Sequence, residues 1–286
     1  ASWYALCFLR LARRELFIDS IKTIFQVPTN SWRVNQARHA GMIVDCANFY
    51  RALHDSISRA KHSIFILGWE IDSGVHLLRG DEAAQTSIPS TAVELLAWKA
   101  EQHPELQIYL LRWDSSLAFI DDRELMAAHA WEAKTPENVH ICLDSTIPIG
   151  GSHHQKIVLI DDELVFSGGM DIARQRWDER EHLINDPRRT EANGATYGPY
   201  HDVQIALDGP IVAEFSDLVR WRWKRAAGYD AVGVRRPQIS QSTSSTLVST
   251  WPKTVRPHFE NATAGISLNI PWMGDNKELH EVRSMY

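Results

Sequence analysis

Ser152-His-His-Gln-Lys-Ile-Val-Leu-Ile-Asp-Asp-Glu-Leu-Val-Phe-Ser-Gly-Gly-Met-Asp171 carries two short apolar runs, 156–160 and 163–166, on either side of Asp161-Asp162. Runs of this length around a two-residue turn read as a tight β-hairpin. If 154–160 is a strand, its period of two puts His154 and Lys156 on one face, so an imidazole and an ammonium point into the same space.

Working outward, residues 45–63 place Phe49, Leu53, Ile57 and Ala60 on one side of a helical wheel, with Arg51, Asp55 and Arg59 opposite. Ser63-Ile-Phe-Ile-Leu-Gly-Trp69 follows as a continuous apolar run of strand type. A helix feeding a strand buried on both faces implies an α/β layer. The unit repeats as a helix over 91–102 with a strand over 106–113, and again as a helix over 123–135 with a strand over 139–143.

Beyond the hairpin, His201-Asp-Val-Gln-Ile-Ala-Leu-Asp208 alternates as a strand. Gly209-Pro210 then starts a helix over 211–226 that ends in Arg220-Trp-Arg-Trp-Lys-Arg225. The two tryptophans are expected to pack rather than to lie on a membrane. From 229 to 261 the composition shifts to Ser, Thr, Pro and Gln, as in a linker or long loop. Leu279, Val282 and Met285 have the spacing of an amphipathic helix that stops after two turns, as if cut in mid-domain. The expected fold class is α/β: a mixed β-sheet flanked by helices on both faces, an α-β-α sandwich.

Composition sets bounds. With 44% hydrophobic and 23% charged residues the chain can build a core, and no apolar run is long enough to cross a membrane. A net charge of −6 weighs against a nucleic-acid partner, so local basic clusters must bind any anion. Three widely spaced cysteines, Cys7, Cys46 and Cys142, form no Cys-x-x-Cys pair and fit a reducing compartment. The opening residues put their apolar run before their basic ones, the reverse of an export signal, so a cytoplasmic location, at a membrane surface, is expected.

The chemistry converges on the quoted segment. A neutral histidine nitrogen can attack phosphorus, and a neighbouring lysine offsets charge on the phosphoryl oxygens. Gly168 and Gly169 could expose backbone N–H groups to a phosphate, Ser167 offers a hydroxyl, and Asp161 and Asp171 could orient the His or Lys. Arg174, Arg176, Arg180, Arg188 and Arg189 either ring the site mouth or form an ordinary solvated surface. His153, out of register with Lys156, is read as a support for its neighbour.

His154-x-Lys156-x-x-x-x-Asp161 followed by Gly168-Gly169-Met-Asp171 resembles the HxKxxxxD motif and its glycine-containing tail in the phospholipase D superfamily, and His153 with Gln155 gives the HHQK form of its phospholipid enzymes. Phe65-Ile-Leu-Gly-Trp-Glu-Ile-Asp72, Leu110-Leu-Arg-Trp-Asp114 and 200–210 are similar to segments flanking that motif in the family's amino-terminal half. The resemblance implies a two-step displacement. One histidine forms a phosphohistidine, a second protonates the leaving alcohol, and water or another alcohol resolves the intermediate, with no metal or cofactor. His154 takes the histidine position, Lys156 the phosphate-binding position and Asp161 the motif aspartate. It further implies a phospholipase D-like catalytic half over 36–228, after an amino-terminal extension over 1–35. A loop or linker over 229–265 and the start of an incomplete second half over 266–286 would follow.

The family uses two such motifs, and none of the other histidines here begins a second His-x-Lys. Either the polypeptide continues and supplies it, which the match to two-motif enzymes favours, or two chains pair as a homodimer. The expected substrate is a phospholipid, hydrolysed or transferred to an alcohol as in cardiolipin synthases. A nuclease and a catalytically silent phospholipid-binding module are the alternatives.

Overall fold

The computed structural model describes residues 2–3, 5–10, 24–114, 127–148, 150–191, 193–233, 246–274 and 276–285. Positions 123–126 of the expected third helix and 240–245 of the Ser/Thr run lie outside the described residues. The chain runs β1 (Ser2–Trp3), β2 (Ala5–Arg10), β3 (Arg33–Val44), α1 (Cys46–Arg59), β4 (Ser63–Gly68), α2 (Asp81–Ala84), α3 (Ala92–Gln102), β5 (Gln107–Trp113) and α4 (Ala127–Glu132). It continues β6 (Val139–Asp144), β7 (Ser152–His153), β8 (Ile157–Ile160), β9 (Leu164–Gly168), β10 (Val203–Asp208), α5 (Ile211–Ala227), β11 (Phe259–Ile270), β12 (Leu279–His280) and α6 (Glu281–Met285).

Most strands join one mixed sheet in the order β12-β11-β3-β10-β9-β8-β4-β5-β6, with β2 also paired to β11. The pairs β4–β5 and β5–β6 are parallel. Parallel neighbours need a crossover, and the helices α3 and α4 fall between those strands. The other neighbours along that path run antiparallel. Every residue of β4 is buried because it alternates between two cores. Ile64 and Ile66 pack with Phe49, Leu53 and Leu96 of α1 and α3, while Phe65 and Leu67 pack with Phe215, Leu218 and Trp223 of α5. The α/β sandwich with helices on both faces is therefore the observed class, and Trp223 is fully buried in it.

Two long strands went unread in the sequence. β3 carries Asn35, Gln36, Arg38 and His39 and shows no clean alternation, whereas β11 alternates from Ala262 to Ile270 but follows directly on the Ser/Thr/Pro-rich stretch. They pair from Phe259 with Ala40 through Ile266 with Arg33. The expected boundary between 265 and 266 falls inside the single strand β11. At 277–286 a two-residue strand precedes a helix of one turn, in place of the two-turn helix. Among the described residues no helix is long and apolar enough to cross a membrane.

The hairpin turn is bolted to both layers. Asp161 and Asp162 each have φ of 54°, and the Glu163 N–H donates to the Ile160 carbonyl at 3.0 Å. Two successive positive φ angles match the turn to the right-handed twist of the strands. The Asp161 carboxylate accepts the backbone N–H groups of Lys61 (2.8 Å), His62 (2.7 Å) and Ser63 (3.0 Å), fixing the corner between α1 and β4. Asp162 takes a two-pronged bond from Arg220 of α5, at 2.9 and 2.7 Å. A buried carboxylate accepting three N–H groups makes charge-assisted bonds, so Asp161→Asn should cost about 2–3 kcal/mol. The measurement is a lowered urea midpoint at unchanged slope; an unaltered midpoint would remove Asp161 from this structural role.

Candidate functional site

His154, Gln155 and Lys156 lie between β7, which ends at His153, and β8, outside either strand, yet residues 153–156 still alternate. His153 Nε2 lies 3.0 Å from Asp144 Oδ1, and Asp144 Oδ2 accepts from Arg222 Nη2 at 2.6 Å. Arg222 also donates to Gln155 Oε1. His153 and Gln155 are thus locked between β6 and α5, which leaves His154 and Lys156 on the other side of the chain. There Lys156 Nζ is 3.0 Å from Asp171 Oδ2, while Asp171 Oδ1 accepts the Trp69 N–H at 2.9 Å. Tyr50 of α1 donates its hydroxyl to the Asp171 carbonyl at 2.9 Å, so the residue that meets Lys156 is held both from α1 and from the end of β4.

The electrostatics suit a nucleophile. Burial first, and then the charge of Lys156, push His154 below its ordinary value, with Asp171 and Asp202 pulling the other way. A lowered value keeps the ring neutral and its nitrogen lone pair available at neutral pH. Burial likewise lowers Lys156, against the pull of Asp171. For Asp144, burial alone would raise the carboxyl, but the His153 bond and the Arg222 charge outweigh it and hold it well below the carboxylate range. Burial brings His153 down to about 4.

Three expectations change. Asp161 does not orient His154 or Lys156: it sits beyond the far end of β8, with its carboxylate taken up by backbone N–H groups. Ser167 pairs with Ile157 on the face that packs against α5, because strand alternation turns its hydroxyl away from the Lys156 side. The double glycine answers a steric demand rather than presenting free N–H groups. A Cβ on Gly168 would lie 2.4 Å from Gln204 Oε1, one on Gly169 would lie 2.1 Å from Asp202 Oδ1, and the Gly169 N–H already donates to the Val203 carbonyl at 3.0 Å.

Asp202, unread in the sequence except as part of a flanking segment, is the addition that matters. It sits at the start of β10, takes the Tyr200 hydroxyl at 3.2 Å, and lies against Gly169 where its charge reaches His154. Its only signal was a His-Asp pair just ahead of an alternating strand. Of the arginines, Arg189 is buried on Asp178 and Arg188 is paired with Asp186, whereas Arg176 stands over the Tyr200 ring at 5.0 Å and its charge reaches Lys156.

Two outcomes follow from these charges. Removing the Asp202 charge should let His154 fall further, so in Asp202→Asn its imidazole signals in a proton NMR titration move at lower pH; an unchanged midpoint would uncouple the pair. His153 binds its proton at about 4 when folded and near 6.5 when unfolded, so stability declines as pH falls through that window and stops declining below it. His153→Gln should remove about 1.4 kcal/mol per pH unit from that slope in denaturation curves, and an equal slope would show that His153 is not the group responsible.

Comparison with known proteins adds the family. A sequence model described as Phospholipase D matches residues 56–255. Phospholipase D B of Dictyostelium discoideum is 26% identical over 211 residues, covering 64% of this chain and 17% of that protein. Phospholipase D alpha 2 of Arabidopsis thaliana is 29% identical over 223 residues, covering 62% and 27%. The chain therefore spans roughly a quarter or less of the length of these relatives. Among solved structures, NucT from Helicobacter pylori aligns with a TM-score of 0.42 at 14% identity, covering 68% of this chain and 98% of that one. The phosphatidylserine synthase of Haemophilus influenzae Rd KW20 aligns at 0.42 and 15%, covering 65% and 37%. Because the family match begins within α1 and runs through the hairpin, the His-Lys pair and α5, this chain belongs to the phospholipase D family.

Proposed function

We propose that this chain provides one histidine and one lysine of a phospholipase D-type phosphodiesterase or phosphatidyltransferase that acts on phospholipids at a membrane surface. The observation that carries the reading is the pair His154 and Lys156, turned to one side of the HHQK segment, with the ring held neutral and the lysine fixed on Asp171 at 3.0 Å. In the first step the His154 nitrogen bonds to phosphorus as the P–O bond to the headgroup alcohol breaks. The departing oxygen takes a proton from a second histidine. In the second step water or an acceptor alcohol gives that histidine its proton and attacks phosphorus, and the P–N bond breaks. Lys156 offsets the charge on the phosphoryl oxygens in both transition states. The exchange of roles between the two histidines also serves if His154 is the acid and base and its counterpart the nucleophile.

That counterpart comes from a second HxKxxxxD motif, in a longer polypeptide or in a second copy of the chain. Incubation of the full reading frame with phosphatidylcholine or phosphatidylglycerol and ethanol should give phosphatidylethanol, and His154→Ala should reduce it about a thousand-fold or more. The 286-residue chain alone, kept monomeric, should give none. Turnover by the monomer would overturn the shared site, and cleavage of DNA without lipid turnover would move the substrate to nucleic acid.

A further inference from the structure

The corner where β3 meets α1 gathers three groups that the phosphodiesterase chemistry does not use. Ligand atoms of Asp45, His182 and His201 lie within 4.8 Å of one another. We infer that these three residues bind one divalent transition-metal ion of the zinc class, as a clamp beside the His154–Lys156 pair rather than as part of its chemistry.

Asp45 is the first sign. It stands at the N-cap of α1, where an aspartate ordinarily accepts an N–H of the first turn, yet its side chain makes no such bond. The residue is fully buried and held at a φ of 70°, which turns the carboxylate away from the helix and toward the histidines. Its Oδ2 has no hydrogen-bond partner among the described residues, and its nearest cation is Arg180 Nη1 at 3.7 Å. Burying a carboxylate with one oxygen lacking a donor is costly, and a cation bound through either oxygen offsets that charge.

His182 is the second sign. Its Nδ1 lies 2.9 Å from Asp178 Oδ2, and Asp178 is itself fixed by Arg189 at 2.9 Å and by the Tyr200 N–H at 3.0 Å. An outer carboxylate that takes the Nδ1 proton leaves the Nε2 lone pair outward, the arrangement that orients metal-binding histidines. That Nε2 faces Asp45 Oδ1 at 3.3 Å. In that tautomer the two atoms are both acceptors and repel at this distance, and an ion between them reverses the sign.

The spacing fits. Metal–ligand bonds of about 2.1 Å at tetrahedral angles place ligand atoms about 3.4 Å apart, close to the 3.3 Å between His182 Nε2 and Asp45 Oδ1. His201 Nδ1 is now hydrogen-bonded to Asp45 Oδ1 at 2.5 Å and must back away by about 1 Å to become a ligand. With its side chain 62% exposed it has room, and Arg180, 63% exposed, can swing into solvent. Two imidazoles, one carboxylate and a position for water form a donor set that suits zinc or cobalt better than calcium or magnesium.

The clamp has an address. The Asp45 N–H donates to the Asp202 carbonyl at 3.0 Å, and the Ala47 N–H to the Asp178 carbonyl at 3.0 Å. An ion here ties the segment from 178 to 202 to the start of α1 and fixes Asp202, the neighbour of His201, beside Gly169.

The test uses the whole 286-residue chain, stripped with chelator and titrated with Zn²⁺ by calorimetry and with Co²⁺ by absorption. One Zn²⁺ per chain, a tetrahedral Co²⁺ spectrum and a rise in melting temperature are expected. His201→Gln, at an exposed position that should not disturb folding, should weaken Zn²⁺ at least ten-fold and abolish that spectrum, whereas the surface variant His103→Gln should do neither. Arg180→Ala should bind as tightly as the parent or more so. Absence of saturable binding, or binding that His201→Gln leaves unchanged, would overturn the site and leave the cluster a hydrogen-bonded network.

Discussion

Arg222 is a guanidinium almost without access to water, and the arrangement of the site depends on how it is paired. Burying such a charge is tolerable only when its partners surround it, and loss of one partner from a buried pair costs about 3–5 kcal/mol. Asp144 at 2.6 Å and Gln155 supply that surround, and Asp144 in turn fixes His153. The network grips alternate residues of a short irregular segment. Because it holds 153 and 155 on the α5 side, 154 and 156 face the opposite way without a strand to align them. His154 and Lys156 are thus positioned by a structural pair of the same segment, with the sheet only bracketing them.

Lys156 shows the same division of labour. Its ammonium leans on Asp171, whose other carboxylate oxygen is occupied by a backbone N–H from the end of β4. Asp171 is therefore held from swinging away, and the Lys156 ammonium keeps a fixed place from which it could meet a phosphate in the proposed reaction. Pre-organised charge of this sort stabilises a transition state without reorganising at the moment of reaction. Glu70, just after β4, is buried against Arg112 at 3.0 Å, so the corner that carries the Trp69 N–H is itself anchored from β5.

The sequence made the middle of the sheet legible and its far side illegible. Short continuous apolar runs such as 63–68, set between helical patterns, read as strands covered on both faces, and a pair of aspartates between two such runs announces the hairpin. β3 left no comparable trace, since its polar residues are taken up by other elements, Asn35 by Glu214 and His39 by Asp208, and the alternation of 262–270 in β11 was masked by the Ser/Thr/Pro-rich stretch before it. Within the site, the spacing of His154 and Lys156 in the sequence already places them on one side of the segment. The partners were harder to assign: Asp161 and Asp171 are both aspartates near the motif, and only the path of the chain shows that one serves the α1–β4 corner and the other the lysine. The glycines were read as openings for a ligand, whereas the close approach of Asp202 and Gln204 explains them. Asp202 was out of reach because its relation to His154 exists only across β9 and β10.

The pairing of β3 with β11 joins residues far apart in the chain, as in the bond from Gln36 to Thr263, which are 227 positions apart. During synthesis from the amino terminus, β3 leaves the ribosome long before its partner exists. Until β11 arrives, one edge of β3 offers unpaired N–H and C=O groups to any other strand nearby. Slow translation over the intervening residues would prolong that exposure, and a chaperone that shields the edge would shorten it.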